Sequence, residues 1–317
     1  MQTIFNSSSI DSLYPADTVV AIGNFDGVHL GHQAILAVAV AEAKKRRLPV
    51  TLFTFNPHPT IELRPQAPLK LLMTYEEKRL QLSKYPVDYY VEESFNQKFA
   101  QTSAHDFFYE ILKGRLHAAV VVVGEDFAFG NRREGTIAIL KDYCNQSQTQ
   151  LEVVKPVQFD GLPISSSRIR DLLAQGKVAA AEKLLGHPFF YRGEVIHGDH
   201  RGRTIGFPTA NMKCEEKFPL LPGVYATSVF WRDRQYLSVT NIGKRPTFQL
   251  DADLNLIPLR IETHLLHQDL DLYGENLEVR FHEYLRAEQK FNSIDALKQQ
   301  IQLDANLAET TLKQRFF

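Results

Sequence analysis

The chain has 317 residues, 44% of them hydrophobic and 23% charged, and 36 Lys and Arg against 37 Asp and Glu leave a formal net charge of -1. That length exceeds what a single core usually covers, so two domains are expected. The balanced charge excludes a global basic field for nucleic acid and an acidic tail for a basic partner.

Cys144 and Cys214 stand in no metal-ligand spacing, which excludes a structural zinc site and speaks against a disulfide. The opening MQTIFNSSSIDSLYPAD lacks a basic region followed by an apolar one, so no signal peptide is expected. The longest apolar run, residues 34–41, is eight residues long, against the roughly 20 that a membrane span requires. A cytoplasmic protein without membrane or nucleic-acid partners is expected, and the Asn-x-Ser matches at Asn6 and Asn145 carry no glycosylation meaning.

In chain order, residues 18–22 (TVVAI) predict a short β-branched strand, followed by a glycine-rich turn. Residues 30–46 predict a helix whose basic end, from Lys44 to Arg47, reads as a solvated terminus favoured by the helix dipole. Further strands are expected over 50–55, 87–91, 118–123 and 151–156, and helices over 104–116 and 136–144. Continuous apolar strands separated by helices mean a parallel sheet covered on both faces. Ligands of such sheets bind at the carboxyl ends of the strands.

Two short helices broken at Gly176 follow, and a boundary near residues 186–188 gives domains 1–185 and 186–317. From about Phe189 the rhythm becomes alternating segments with short turns and no helix between them, which reads as an antiparallel barrel. A final amphipathic helix starts after Ser293, whose hydroxyl is a good N-cap.

The turn in AIGNFDGVHLGHQAIL (residues 21–36) carries more chemistry than a strand-to-helix connection needs. Gly23 and Gly27 let the backbone approach a ligand or take positive φ. A helix beginning near Val28 turns its free N–H groups toward an anion. His29 and His32, three apart, are expected on one helical face, arranged to neutralise charge that accumulates on a phosphate.

With Gly23, Phe25 and Asp26 ahead of His29-Leu30-Gly31-His32, the stretch resembles the H-x-G-H nucleotidyltransferases, and within them the FAD synthetases. More matches follow in the same order: Thr54 to Pro59 around Asn56, Gly124 to Gly130 around Asp126, and Ile164 to Arg170 with Ser166, Ser167 and Arg170. The resemblance implies a Rossmann-like α/β domain and in-line attack on the α-phosphate of ATP with no covalent intermediate. The histidines would act electrostatically. Taken alone, the serines cap a helix or bind phosphate, Arg170 provides a forked donor for phosphate oxygens, and Asp126 binds an adenosine hydroxyl or a metal or caps a loop. Phe127 and Phe129 face a flavin or merely pack.

In the second half, Gly198, Gly202, Arg203 and Gly206 lead into Pro208-Thr209-Ala210-Asn211, a flexible segment before a Thr/Asn pair. Its N–H groups can face a triphosphate, and Thr209 and Asn211 offer oxygens suited to Mg²⁺; the alternative is a plain glycine hairpin. This stretch resembles riboflavin kinase, with further matches at Asn241-Ile242-Gly243, at Ile261 to His264 and at Tyr284 to Phe291 around Arg286. The resemblance implies a six-stranded barrel in which Glu262 is the general base and Arg286 lies near the flavin.

From Gly23 to about Phe291 the chain is therefore similar to the bifunctional riboflavin kinase/FAD synthetases. That implies ATP, riboflavin, FMN and FAD as ligands, Mg²⁺ in both reactions, and a monomer or weak homo-oligomer. The rivals are an H-x-G-H transferase acting on another phosphate ester, which the second motif set disfavours, and a flavin-binding module without turnover, for which damaged catalytic residues are expected.

Overall fold

The computed structural model describes residues 1–10, 14–67, 69–197, 205–213, 218–244 and 259–316. The chain forms two compact units, one of Met1–Leu69 with Met73–Ser166, the other of Lys70–Leu72 with Ser167–Phe317.

In the first unit, β1 (Gln2–Phe5), β2 (Thr18–Ile22), β3 (Val50–Asn56), β4 (Tyr89–Ser94), β5 (Ala118–Gly124) and β6 (Gln150–Val154) make one parallel sheet. Their spatial order is β1-β4-β3-β2-β5-β6. Val19, Val20, Leu52, Phe53 and the valines 120–123 are fully buried, because helices cover both faces. α1 (Leu30–Arg46) spans the expected residues and packs on β2 and β5. The chain builds outward from β2 through β3 and β4, then crosses back to β5 and β6. The strand order thus reverses between β2 and β5, the crevice where open α/β sheets bind ligands.

Three elements precede the second crossover: α2 (Pro59–Leu63), α3 (Tyr75–Leu82) and the single turn α4 (Gln97–Ala100). The helix expected over 104–116 is α5 (Ala104–Asp106) running into a π-helical stretch, Phe107–Arg115, that buries Phe107, Phe108, Ile111 and Leu112. α6 (Ile137–Gln146) joins β5 to β6, and a small hairpin of β7 (Gln158–Phe159) and β8 (Leu162–Pro163) follows. Strand β1 was not expected; it is four residues long, mostly exposed, and carries no alternation to announce it.

The second unit opens with α7 (Ser166–Ala174) and α8 (Val178–Leu185), whose break includes Gly176 as expected. This division falls at residues 166/167, ahead of the sequence boundary at 185/186. The physical reason is that α8 buries Val178, Ala181, Leu184 and Leu185 and packs on the barrel strands β9 and β14. The barrel is β9 (Phe189–Ile196), β10 (Ala210–Lys213), β11 (Gly223–Trp231), β12 (Arg234–Lys244), β13 (Leu259–Leu265) and β14 (Asn276–Arg286). It closes in the order β10-β13-β12-β11-β14-β9 with antiparallel pairing.

The barrel interior is partly polar. Thr227 Oγ1 bonds Ser238 Oγ at 2.8 Å and Thr240 Oγ1 at 2.7 Å, and Thr240 Oγ1 bonds Thr263 Oγ1 at 2.9 Å. All four hydroxyl residues are fully buried. Outside, α9 (Ile294–Phe316) lays Ala305, Ala308 and Leu312 against Val224, Ala226 and Val239. Ser293 caps it as expected, its Oγ accepting from Ala296 N at 3.1 Å.

Candidate functional site

The turn after β2 is tightly wound: Phe25, Gly27 and Val28 have φ of 52°, 84° and 42°. Phe25 and Val28 are fully buried, so core packing sustains a left-handed backbone that only Gly27 adopts freely. A positive φ at Val28 cannot continue a helix, and α1 therefore starts at Leu30 rather than near Val28. His29 is its N-cap, with Nδ1 accepting from His32 N at 3.3 Å. An accepting Nδ1 puts the proton of the neutral ring on Nε2.

His29 thus stands just ahead of α1 rather than within it, and the two rings, on one side as the spacing predicts, stack with centroids 3.6 Å apart and planes 15° from parallel. Gly31 makes this possible, because a Cβ there would lie 3.0 Å from the His29 ring. Phe25 backs His32 edge-on at 5.4 Å. Burial, and then the charges of His29, Lys78 and His58, hold His32 well below the usual histidine range. Its Nδ1 is buried and has no hydrogen-bond partner among the described residues.

Around this pair, Asp26 is buried and its Oδ1 accepts from Met73 N at 3.3 Å. Ser166 Oγ donates to Asp26 O at 3.0 Å, within the first unit. A Cβ on Gly23 would meet the Phe25 ring at 3.3 Å. Asn56, at the end of β3, donates from Nδ2 to Glu92 Oε1 at 2.9 Å. Asp126 is exposed just after β5, across the switch crevice from the turn in sheet order. Ser167 is exposed on α7, and Arg170 Nε donates to Lys70 O at 2.6 Å within the second unit.

Sequence reasoning missed α3. Its Thr74–Glu77 capping box was a legible helix start. What no local pattern announces is that Lys78 is only 4% exposed. Its Nζ donates to Thr54 Oγ1 at 3.1 Å and to Asn24 O and Phe55 O at 3.4 Å each.

In the barrel, Asn211 lies on β10 rather than in a loop, directly across from Glu262 on β13, which faces Asn241 on β12 in turn. Asn211 Nδ2 donates to Thr209 O at 3.2 Å and to Thr209 Oγ1 at 3.4 Å. His264 Nδ1 donates to Pro208 O at 2.8 Å, and its ring meets Phe207 edge-on at 5.5 Å, pinning the Pro-Thr-Ala-Asn segment to β13. A pocket beside it is lined by Val195, Thr209, Asn211, Leu265, Leu272 and Tyr273.

Gly206, at φ 91°, has open space on its Cβ side, while Gly198, Gly202 and Arg203 lie outside the described residues. Arg286 is engaged by α9, donating from Nε and Nη2 to the buried Asp304 carboxylate at 2.9 and 2.7 Å. Among the described residues no group of three or more His, Cys, Asp or Glu could hold a metal ion. The donors beside Glu262, Thr209 and Asn211, are hard oxygens of the kind Mg²⁺ takes together with phosphates and water.

Comparison with known proteins matches a different family profile to each half of the chain. The FAD synthetase family profile matches residues 12–168, and the riboflavin kinase profile matches residues 185–312. The chain is 40% identical over 289 residues to a bifunctional riboflavin kinase/FMN adenylyltransferase of Escherichia coli (strain K12), covering 90% of each chain. It is 35% identical over 309 residues to one of Listeria monocytogenes, covering 96% of each. A crystal structure described as a macrolide-efflux protein from Streptococcus pneumoniae superposes with a TM-score of 0.85 at 34% identity, covering 97% of this chain and 98% of that one. No helix among the described residues is long and apolar enough to cross a membrane. With both profiles matched in order, and relatives aligned over nine-tenths of their length, the chain belongs to the bifunctional riboflavin kinase/FMN adenylyltransferase family.

Proposed function

We propose that each activity has its own phosphate site. Residues 186–317 phosphorylate riboflavin to FMN with ATP, and residues 1–185 join FMN to AMP from a second ATP, releasing pyrophosphate. In the first domain His29 and His32 face the α-phosphate, where fixed donors stabilise charge that develops in the transition state. Gly23, Phe25 and Asp26 shape that turn, Asn56, Asp126 and Ser166 border it, and Ser167 and Arg170 act on the β- and γ-oxygens.

In the second domain Glu262 takes the proton from the ribityl 5′-hydroxyl as that oxygen attacks the γ-phosphate. Phosphoryl transfer depends mostly on positioning and charge, so one well-placed carboxylate suffices. Gly198, Gly202, Arg203, Gly206 and Pro208 belong to the segment that covers the phosphates, and Arg286, at the end of β14 and held by Asp304 of α9, orders the flavin end. Mg²⁺ would be held by Thr209 Oγ1 and Asn211 Oδ1 and would supply positive charge to the triphosphate. The chain acts on small molecules in the cytoplasm, as a monomer or weak homo-oligomer.

The stacked His29–His32 pair, made possible by Gly31, carries this reading. The test is a pair of variants incubated with ATP and Mg²⁺, with the flavins separated by chromatography. His29→Ala should abolish FAD while FMN still forms from riboflavin. Glu262→Ala should abolish FMN while supplied FMN is still converted to FAD. Loss of both activities in either folded variant would overturn the separate sites.

A further inference from the structure

α3 clamps the carboxyl edge of the first sheet at three points. Ahead of its cap, Met73 N bonds Asp26 in the histidine turn. From its second turn, the Lys78 ammonium reaches Asn24 O beyond β2 and both Thr54 Oγ1 and Phe55 O of β3. Next to it, Arg79 Nη1 meets both oxygens of Glu92 on β4, at 3.1 and 3.2 Å. A buried ammonium is costly unless it is paired or hydrogen-bonded. Here it donates to two main-chain carbonyls and a hydroxyl, with no direct carboxylate partner among the described residues, and one of those carbonyls, Asn24 O, belongs to the turn that carries the histidine pair.

We infer that Lys78 is a positioning residue for FAD formation: its buried ammonium fastens the histidine-bearing turn to β3 and places a positive charge whose field reaches His32. The inference rests on the reading of His29 and His32 as the phosphate-facing pair. Burial pushes the Lys78 ammonium down to about 8, with Glu92 and Asp26 opposing that effect and Arg79 adding to it. The group therefore remains charged at neutral pH. The groups facing His32 are His29, Lys78 and His58, all of which disfavour its protonation. Of these Lys78 is the one that carries a charge at neutral pH without itself being a histidine. A neutral His32 meets ATP as a hydrogen-bond donor whose proton stays in place over the working pH range.

The test uses the full chain with Lys78→Gln, which keeps amide donors but loses the charge, and Lys78→Arg, which keeps the charge. Histidine ring signals are titrated by NMR without nucleotide, with His32→Asn assigning the resonance. The pH profile of FAD formation from supplied FMN is then measured, with FMN formation from riboflavin as the internal control. In Lys78→Gln the His32 titration and the acid limb of FAD formation should both move up by roughly one pH unit, with Lys78→Arg close to wild type and FMN formation unchanged in both. If Lys78→Gln lowers FAD formation while the His32 titration and the pH profile stay put, Lys78 is merely structural and the inference fails. Should Lys78→Gln not fold, Lys78→Met combined with Thr54→Val removes the charge together with the hydroxyl it satisfies, and the same two readouts decide. Full FAD formation by His32→Asn would instead sink the histidine reading, and the ring titration, taken without turnover, separates the two failures.

Discussion

His29 and His32 lie face to face with ring centroids 3.6 Å apart. Two imidazolium charges at such a separation would repel by about 5 kcal/mol at an effective dielectric of 20, so the pair holds one added proton at most near neutral pH. Burial removes that proton from His32 first. His32 is thus the neutral member of the stacked pair at the head of α1, and the pair's geometry depends on a residue without a side chain between the rings' attachment points.

Gly31→Ala tests that dependence. A Cβ at this position lies 3.0 Å from one His29 ring atom and 3.1 Å from another, so the ring must shift by a few tenths of an ångström. Alanine favours helix over glycine by up to about 1 kcal/mol. The melting temperature should therefore not fall, while FAD formation drops on the order of 100-fold and FMN formation is untouched. Wild-type FAD formation in the variant would show that stacking has no catalytic value.

The barrel should be acid-labile through His282. This residue is buried on β14, its Nε2 bonds Ser228 Oγ at 2.8 Å, and its Nδ1 has no partner among the described residues. Burial, with Arg315 and Arg280 adding to it, pushes its pKa down to about 3. The unfolded chain binds this proton near pH 6.5 and the folded chain does not. The contribution is therefore fully present above pH 6.5 and is lost as pH falls toward 3, by up to about 1.4 kcal/mol per pH unit. Trp231, the single tryptophan and a residue of β11, reports the barrel in urea melts. His282→Phe with Ser228→Ala should flatten the dependence between pH 6.5 and 4; an unchanged slope would assign it elsewhere.

Thr240→Val keeps shape and removes the central hydroxyl of the interior chain. Thr227 and Thr263 then each lose a buried partner. The expected cost is about 1–3 kcal/mol, read in the same Trp231 melts, with FAD formation from FMN unaffected. A stabilised variant would mean that the barrel core tolerates an apolar centre.

Asp304→Asn removes the counter-charge of Arg286, whose side chain is 22% exposed. Stability should fall by roughly 1–3 kcal/mol. Hydrogen exchange should quicken in α9, and KM for riboflavin should rise while FAD formation from supplied FMN is kept. Faster exchange without any change in KM would confine Arg286 to a structural role.

Much of the molecule could be read from the chain. The bounds of β2 and α1 were legible because an apolar run, a glycine turn and a basic end mark them locally. Five barrel strands were legible from alternation. β10 was not, since its four residues follow a glycine-rich stretch whose composition reads as loop. β1 was hidden because its four residues are too few to show a period. The π-helical stretch at Phe107–Arg115 escaped because its apolar spacing satisfies an ordinary helix as well.

Residue order by itself determined the two-part plan, the family and the chemical types gathered at each proposed phosphate site, because motifs and periodicity are properties of neighbours along the chain. Tertiary structure alone decided that His29 caps rather than joins α1, that Lys78 is buried against β2 and β3, and that Glu262 stands between Asn211 and Asn241. Burial, ring stacking and strand register are set by segments dozens of residues apart, and no local pattern encodes which of them will meet.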